Sequence, residues 1–208
     1  MSRNTINYHK VFKLITLLIF TVFLLIPPLS FAQQDAGGKT VILYYSLTGN
    51  TKACSEALQE ALRADIIEIK DLVDRTGSWG FAKSAFGSMF SMYTDIEPET
   101  SDLSPYSHII LGSPIWTGKL SMAMRTFIGK NKFDGKKVVL LTTTNAFEKE
   151  EYKEKSRNLV RKSGGEVVGY YQVLAKDEVN EEKVDRPKEK IVEDALKFVP
   201  EILKAFSP

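Results

Sequence analysis

Between positions 46 and 51 the chain reads Ser46-Leu47-Thr48-Gly49-Asn50-Thr51, a set of short polar side chains around one glycine. The run follows a β-branched apolar stretch and precedes a helical pattern, so it falls at a strand-to-helix turn. Ser46, Thr48, Asn50 and Thr51 offer hydroxyl and amide donors, Gly49 permits a positive φ, and the first N–H groups of a helix lack partners within it. Such a turn binds a phosphate, and the helix dipole supplies favourable charge without any Arg or Lys. Lys52 stands at its rim. The residue types leave a second reading open, because Ser, Thr and Asn also cap helix starts that hold no ligand. A nucleotide P-loop is excluded: Gly38-Lys39-Thr40 has Gln33 where the first glycine belongs, and it precedes the strand instead of following it.

The elements that would position this loop follow from hydrophobic period. Residues 40–45, Thr-Val-Ile-Leu-Tyr-Tyr, form a continuous run of the kind buried on both faces of a parallel sheet. Ala53, Ala57, Leu58, Ala61 and Leu62 predict a helix over 51–62. Further strands are predicted at 65–69, 107–111, 137–142 and 166–171, and further helices at 120–128, 149–162 and 189–206. Strands alternating with helices imply βαβ units on a parallel sheet, an α/β fold. The segment 74–106 is the least regular. Trp79, Lys83, Phe86 and Phe90 fall near a helical stripe that Ser78 can cap, predicting an amphipathic helix to Tyr93 over one sheet face; the other reading of these aromatics is a lid over a ligand.

Length and composition bound the rest. A chain of 208 residues, 43% apolar and 26% charged, suits one folded domain with appendages. Residues 1–32 contain Arg3, Lys10 and Lys13 but no acid, then an apolar run ending at Pro27-Pro28, then Ser30-Phe31-Ala32. This pattern predicts a secretory signal peptide cut before Gln33, a linker over 33–39, and a domain over 40–206. An uncleaved anchor is the alternative, although the run is shorter than the roughly 20 residues that span a bilayer. Without 1–32 the chain keeps 25 of its 28 basic residues against 26 acidic ones, a net charge of −1, so neither nucleic acid nor an anionic surface is implied. Export to the periplasm or the extracellular space is expected, with no stable membrane anchor once the signal is cut; the signal lacks a twin-Arg pair. Cys54 is the only cysteine, which rules out an intramolecular disulfide and the Cys-based metal spacings, and no metal site is expected. The plain readings are a packed thiol for Cys54, a core or strand-end imidazole for His108, and a solvated helix face for the mixed-charge run 148–155, with Glu151 and Lys155 at i,i+4.

Tyr44-Tyr45-Ser46-Leu47-Thr48-Gly49-Asn50-Thr51 resembles the phosphate loop of the flavodoxin family. Leu111-Gly112-Ser113-Pro114-Ile115-Trp116-Thr117-Gly118 is similar to that family's loop after the third strand, which touches the flavin ring. Element order carries the resemblance across 40–206; specific motifs cover only these two loops. Flavodoxins are the standard case of strand order 2-1-3-4-5 with FMN at the switch between strands one and three, so that placement belongs to the family and not to this sequence. The resemblance implies a three-layer flavodoxin-like fold, a five-stranded parallel sheet with helices on both faces, and FMN as cofactor. It implies that Ser46, Thr48, Gly49, Asn50 and Thr51 hold the phosphate. Pro114, Ile115, Trp116, Thr117 and Gly118 would line the isoalloxazine, with Trp116 stacking on it or flanking it; a core Trp is the alternative for Trp116.

The family's third loop corresponds to residues 142–147. Thr143, Thr144 and Asn145 would satisfy the flavin's pyrimidine edge, and Phe147 would cover its other face. The loop departs from the Gly-rich and Tyr-bearing forms common in electron-transfer flavodoxins. Lys119 stands where many small flavodoxins carry an acid; a cation there favours the reduced, anionic flavin, while a solvated lysine is the plainer reading. The implied function is an exported electron carrier, serving a redox partner protein or a small acceptor and needing no general acid, base or nucleophile. Two other readings are an FMN-dependent NAD(P)H:quinone-type reductase, with 74–106 and Phe147 shaping a substrate pocket, and an interaction module that has lost the flavin.

Overall fold

The apolar runs are long and β-branched enough to be covered on both sides, and each becomes a strand of one sheet. A computed structural model describes residues 38–73 and 93–208. The predicted signal segment 1–32, the predicted linker up to residue 37 and the predicted helix 78–93, apart from the exposed Tyr93, lie outside the described residues. Strand β1 (Thr40–Tyr44) leads through the polar loop into α1 (Asn50–Leu62) and β2 (Asp65–Glu68). Two short strands, β3 (Lys70–Asp71) and β4 (Ile96–Glu97), pair antiparallel in a sheet of their own. Then come β5 (His108–Trp116), β6 (Lys119–Leu120), α2 (Met122–Lys130), β7 (Lys137–Thr144), α3 (Glu150–Lys162) and β8 (Glu166–Leu174). A hairpin of β9 (Lys176–Val179) and β10 (Glu182–Asp185) precedes α4 (Lys188–Leu196) and α5 (Val199–Phe206).

The main sheet runs β2-β1-β5-β7-β8, with β6 paired antiparallel to the end of β5. Its five principal strands are parallel, which is the expected 2-1-3-4-5 order. Strand period divides each apolar run between two cores. Val41, Leu43, Ile109, Leu111, Val138 and Leu140 face the side covered by α2 and α3, against Phe127 and Val160. Ile42, Ile110, Val139 and Leu141 face Leu58 of α1, Ile191 of α4 and Phe206 of α5. Each such fully buried aliphatic side chain contributes about 1.5–3 kcal/mol. Among the described residues no helix is long and apolar enough to cross a membrane.

Three features differ from the sequence reading. The third strand of the main sheet extends past residue 111 to Trp116, so part of the expected ring loop is strand. The helix predicted over 189–206 is two helices, because Pro200 near the start of α5 lacks the N–H that a continuous helix needs. Hairpin β9–β10 was not anticipated. Its residues are mostly exposed and polar, and it turns through Asn180 and Glu181 at φ 51 and 69. Cross-strand pairs Lys176–Asp185 and Lys183–Glu178 hold it.

Candidate functional site

The polar loop leaves the C-terminal end of β1 and closes on itself before α1 begins. The Gly49 N–H donates to Ser46 Oγ at 3.1 Å. Gly49 is the N-cap residue at φ 87, a left-handed conformation that costs a residue without Cβ little. Among the described residues the first N–H groups of α1 have no side-chain cap, so the positive end of the helix is open to an anion. Thr51 is buried, and its hydroxyl shares a 2.7 Å hydrogen bond with that of Thr143 at the end of β7. Thr48 and Asn50 line the adjoining cavity; Ser46, Gly49 and Thr51 complete the loop.

Helix α1 sits low on the sheet because Gly112 lies under its first turns. A Cβ at Gly112 would meet Ser55 Oγ and Tyr44 Cβ, each at 2.9 Å, and Thr51 Cγ2 at 3.3 Å. Tyr44 is the register partner of Gly112, and the Tyr45 N–H donates to the Gly112 carbonyl at 3.0 Å. The loop is thus pinned to β5 from below and to β7 through Thr143.

Beyond Gly112, β5 turns back into β6 through Thr117 and Gly118 at φ 50 and 73. Positive φ at both central residues is the type I′ geometry that matches strand twist. The hairpin base is fastened by the Ser121 N–H, which donates both to Ser113 Oγ and to the Pro114 carbonyl at 3.1 Å. Ser121 in turn caps α2, accepting from the Met124 N–H at 3.3 Å. Trp116 is half-buried, and Tyr45 meets it edge-on with ring centroids 5.8 Å apart at 88°. It is a wall of the cavity that also packs against the core on the α2–α3 side.

The cavity has a volume of about 550 Å³, within the ~300–1,000 Å³ usual for small ligands. One wall is Pro114, Ile115, Trp116, Thr117 and Gly118; the other is Thr143, Thr144, Asn145 and Phe147, with Thr48 and Asn50 at the phosphate-loop end. The structure therefore gathers the three predicted loops around one space. Thr143 is also a brace, since its hydroxyl is engaged by Thr51. Thr144 folds its own loop, donating from Oγ1 to the Ala146 carbonyl at 2.7 Å. Asn145 is exposed, and Phe147, 68% exposed, stands at the mouth. An uncapped helix end beside an apolar slot suits the phosphate and flat ring of FMN.

Sequence reasoning missed several wall residues: Leu47, Ala146, Glu148, Lys149, Tyr152 and Ala175. The Tyr152 ring packs within 3.0 Å of a Cβ position on Gly118, so α3 supports the hairpin turn. Glu148 belongs to the charged run assigned to solvent, yet its side chain turns inward. Glu148 Oε2 accepts from Tyr170 Oη at 2.6 Å and Gln172 Nε2 at 2.8 Å, while Oε1 is buried without a partner. Desolvation raises the Glu148 pKa against the opposing effect of these bonds, and raises that of Tyr170. Spacing alone cannot reveal such a carboxylate, because its partners come from another strand.

A second cavity of about 280 Å³ shares Gly118 with the first and is lined by Tyr93, Lys119, Arg125 and Lys155. Desolvation, then Arg125 and Lys155, lower the Lys119 pKa, so Lys119 is less freely solvated than its sequence context suggests. The remaining plain readings hold. His108 is buried and stacks on Phe206 at 4.4 Å, and desolvation lowers its pKa. Cys54 is fully buried, which pushes its thiol up to about 12. Glu151 pairs with Lys155. Among the described residues no cluster of His, Cys, Asp or Glu could hold a metal ion.

A family model described as Flavodoxin matches residues 39–181. A flavoprotein from Lactobacillus acidophilus NCFM, crystallised in complex with FMN, has a similar fold at 22% identity and a TM-score of 0.57; the match covers 65% of this chain and 93% of that one. A putative flavoprotein from Bacteroides uniformis is similar at 22% identity and a TM-score of 0.60, over 76% of this chain and 97% of its own. One from Bacteroides eggerthii is similar at 20% identity and 0.55, over 78% and 98%. No curated protein matches the sequence.

Proposed function

This chain belongs to the flavodoxin family, and we propose on that footing that it binds FMN noncovalently and serves as an exported electron carrier. The observation that carries the reading is the α1 N-terminus, uncapped by any side chain, opening beside the slot between the 114–118 hairpin and the 143–147 loop. In this reading the α1 N–H groups, with Thr48 and Asn50, hold the phosphate. Pro114, Ile115 and Trp116 support one face of the ring and exclude water from it, and Phe147 covers the mouth. Bound FMN supplies the redox chemistry. Lys119, the cross-strand partner of Trp116, lines the second cavity with Arg125 and Lys155 beside this slot. The basic and apolar composition of residues 1–32 supports export to the periplasm or beyond.

Titrating FMN into the flavin-free protein tests binding: quenching of flavin fluorescence with a saturable visible spectrum is expected, and a protein that changes neither overturns the reading in favour of a flavin-free interaction module. The cationic cavity beside the slot favours a second reading, a reductase acting on a small anionic or nicotinamide substrate. Steady-state NAD(P)H oxidation by the FMN-loaded protein without a partner would sink the carrier in favour of that enzyme.

A further inference from the structure

The phosphate loop contains no cation of its own, but one reaches it from the far end of the chain. Lys188 opens α4, which packs along α1. Its Nζ lies 3.0 Å, and its Cε 3.7 Å, from the point that a Cβ on Gly49 would occupy. The missing Cβ is what lets the ammonium approach the N-cap of α1 so closely. Gly49 thus does two things at once: it adopts the left-handed turn and it leaves room for a charge.

The neighbouring cations are committed elsewhere. The Arg186 side chain, 7% exposed, binds Asp177 at 3.1 Å, Asp194 at 2.6 Å and the Leu174 carbonyl at 2.9 Å. Lys190 pairs with Asp177, Lys197 with Asp194, and Lys176 with Asp185. On the loop's own helix, Lys52 leans towards Glu56 at 3.8 Å. Lys188 has no carboxylate partner among the described residues. Arg186 fixes the start of α4 through part-buried hydrogen bonds to Asp194 and the Leu174 carbonyl, so the position of Lys188 is set by a clamp two residues earlier and not by the lysine itself.

We infer that Lys188 is the counter-charge of the phosphate, a binding residue that makes this chain select a phosphorylated flavin over its unphosphorylated form and makes that selection depend on salt. The inference rests on the FMN reading above. A helix end alone attracts an anion weakly when exposed; an ammonium beside it adds a charge-assisted contact that falls with ionic strength.

Binding of FMN and of riboflavin to the full chain, wild type, Lys188→Gln and Lys188→Arg, is measured at low and high sodium chloride. Lys188→Gln is expected to weaken FMN about five- to tenfold at low salt, the effect of one half-exposed charged contact. It should also flatten the salt dependence, leave riboflavin affinity unchanged, and be largely rescued by Lys188→Arg. FMN affinity and salt response equal to wild type in Lys188→Gln would overturn the inference. Equal loss of FMN and riboflavin would overturn it too, in favour of a structural role at the start of α4. Failure of the wild type to bind FMN at all overturns the parent reading, and is told apart because it appears before any substitution is made.

Discussion

Replacing Gly112 by alanine tests the claim that the phosphate loop exists because α1 can lie against the sheet. The new methyl group would sit 2.9 Å from Ser55 Oγ, 2.9 Å from Tyr44 Cβ and 3.3 Å from Thr51 Cγ2. The Ser55 hydroxyl is buried with no hydrogen-bond partner, so it can rotate away at little cost. Tyr44 Cβ and Thr51 Cγ2 cannot, because both are tied closely to backbone. The helix start must lift by a few tenths of an ångström, and Thr51 must loosen its bond to Thr143. Overpacking of this kind costs about 1–3 kcal/mol, offset by about 0.4–1 kcal/mol from the reduced freedom of the unfolded chain. The expected net loss is therefore about 1–2 kcal/mol in urea unfolding, with FMN binding weakened about tenfold or more, since the displaced N–H groups are the ones proposed to meet the phosphate. Gly129→Ala is the matched control. Gly129 is exposed in α2, where among the described residues a Cβ would meet only Tyr93 at 3.7 Å, so the same change should stabilise by about 0.5–1 kcal/mol and leave binding alone. A Gly112→Ala protein within ~0.5 kcal/mol of wild type, with unchanged FMN affinity, would refute the close-approach argument.

Three further outcomes are expected. Trp116→Leu should weaken FMN by about three- to tenfold in a fluorescence titration while lowering stability only modestly, because the ring lines the cavity and leucine keeps an apolar contact with the core beneath it. Thr143→Val should cost about 1–3 kcal/mol in denaturant unfolding, since it strands the buried Thr51 hydroxyl; a neutral result would show that Thr51 finds another partner. Glu148 has a folded-state pKa raised above its unfolded value by desolvation, so the folded protein holds its proton more tightly. Its contribution to stability is present below the unfolded pKa and is lost as pH rises through the folded one. Glu148→Gln should therefore gain stability relative to wild type as pH rises above the ordinary carboxylate range, read as the difference in urea midpoints; a difference independent of pH would remove Glu148 from the buried network.

The parts of this site that could be read from the sequence are those whose physics is local. The phosphate loop depends on a strand, a glycine and a helix start within a dozen residues of each other, and the strand runs depend on a period of two. The Ile115–Leu120 hairpin carried a local signal as well: Thr117-Gly118 between two apolar-containing pairs is a two-residue turn of the kind that closes hairpins. Family resemblance, which assigns those residues to a loop, obscured it. Hairpin β9–β10 was hidden for the opposite reason, since charge pairing rather than burial holds it and hydrophobic period is silent there.

Glu148 and Lys188 were illegible on principle. Each looks like a surface charge in its own stretch of chain, and each acquires its meaning from a residue more than twenty positions away: Tyr170 and Gln172 for the first, Gly49 for the second. The two have opposite consequences. Burial makes the Glu148 carboxylate resist ionisation and fastens the third loop to β8. Lys188 is exposed, so the unliganded fold carries no cost for burying its charge and the ammonium is accessible to an anion. In the proposed reading the fold places a buried carboxyl beside the ring end of the slot and an exposed lysine beside the phosphate end. That asymmetry is what a site needs if it is to hold one ligand by its anionic tail while keeping the other end apolar.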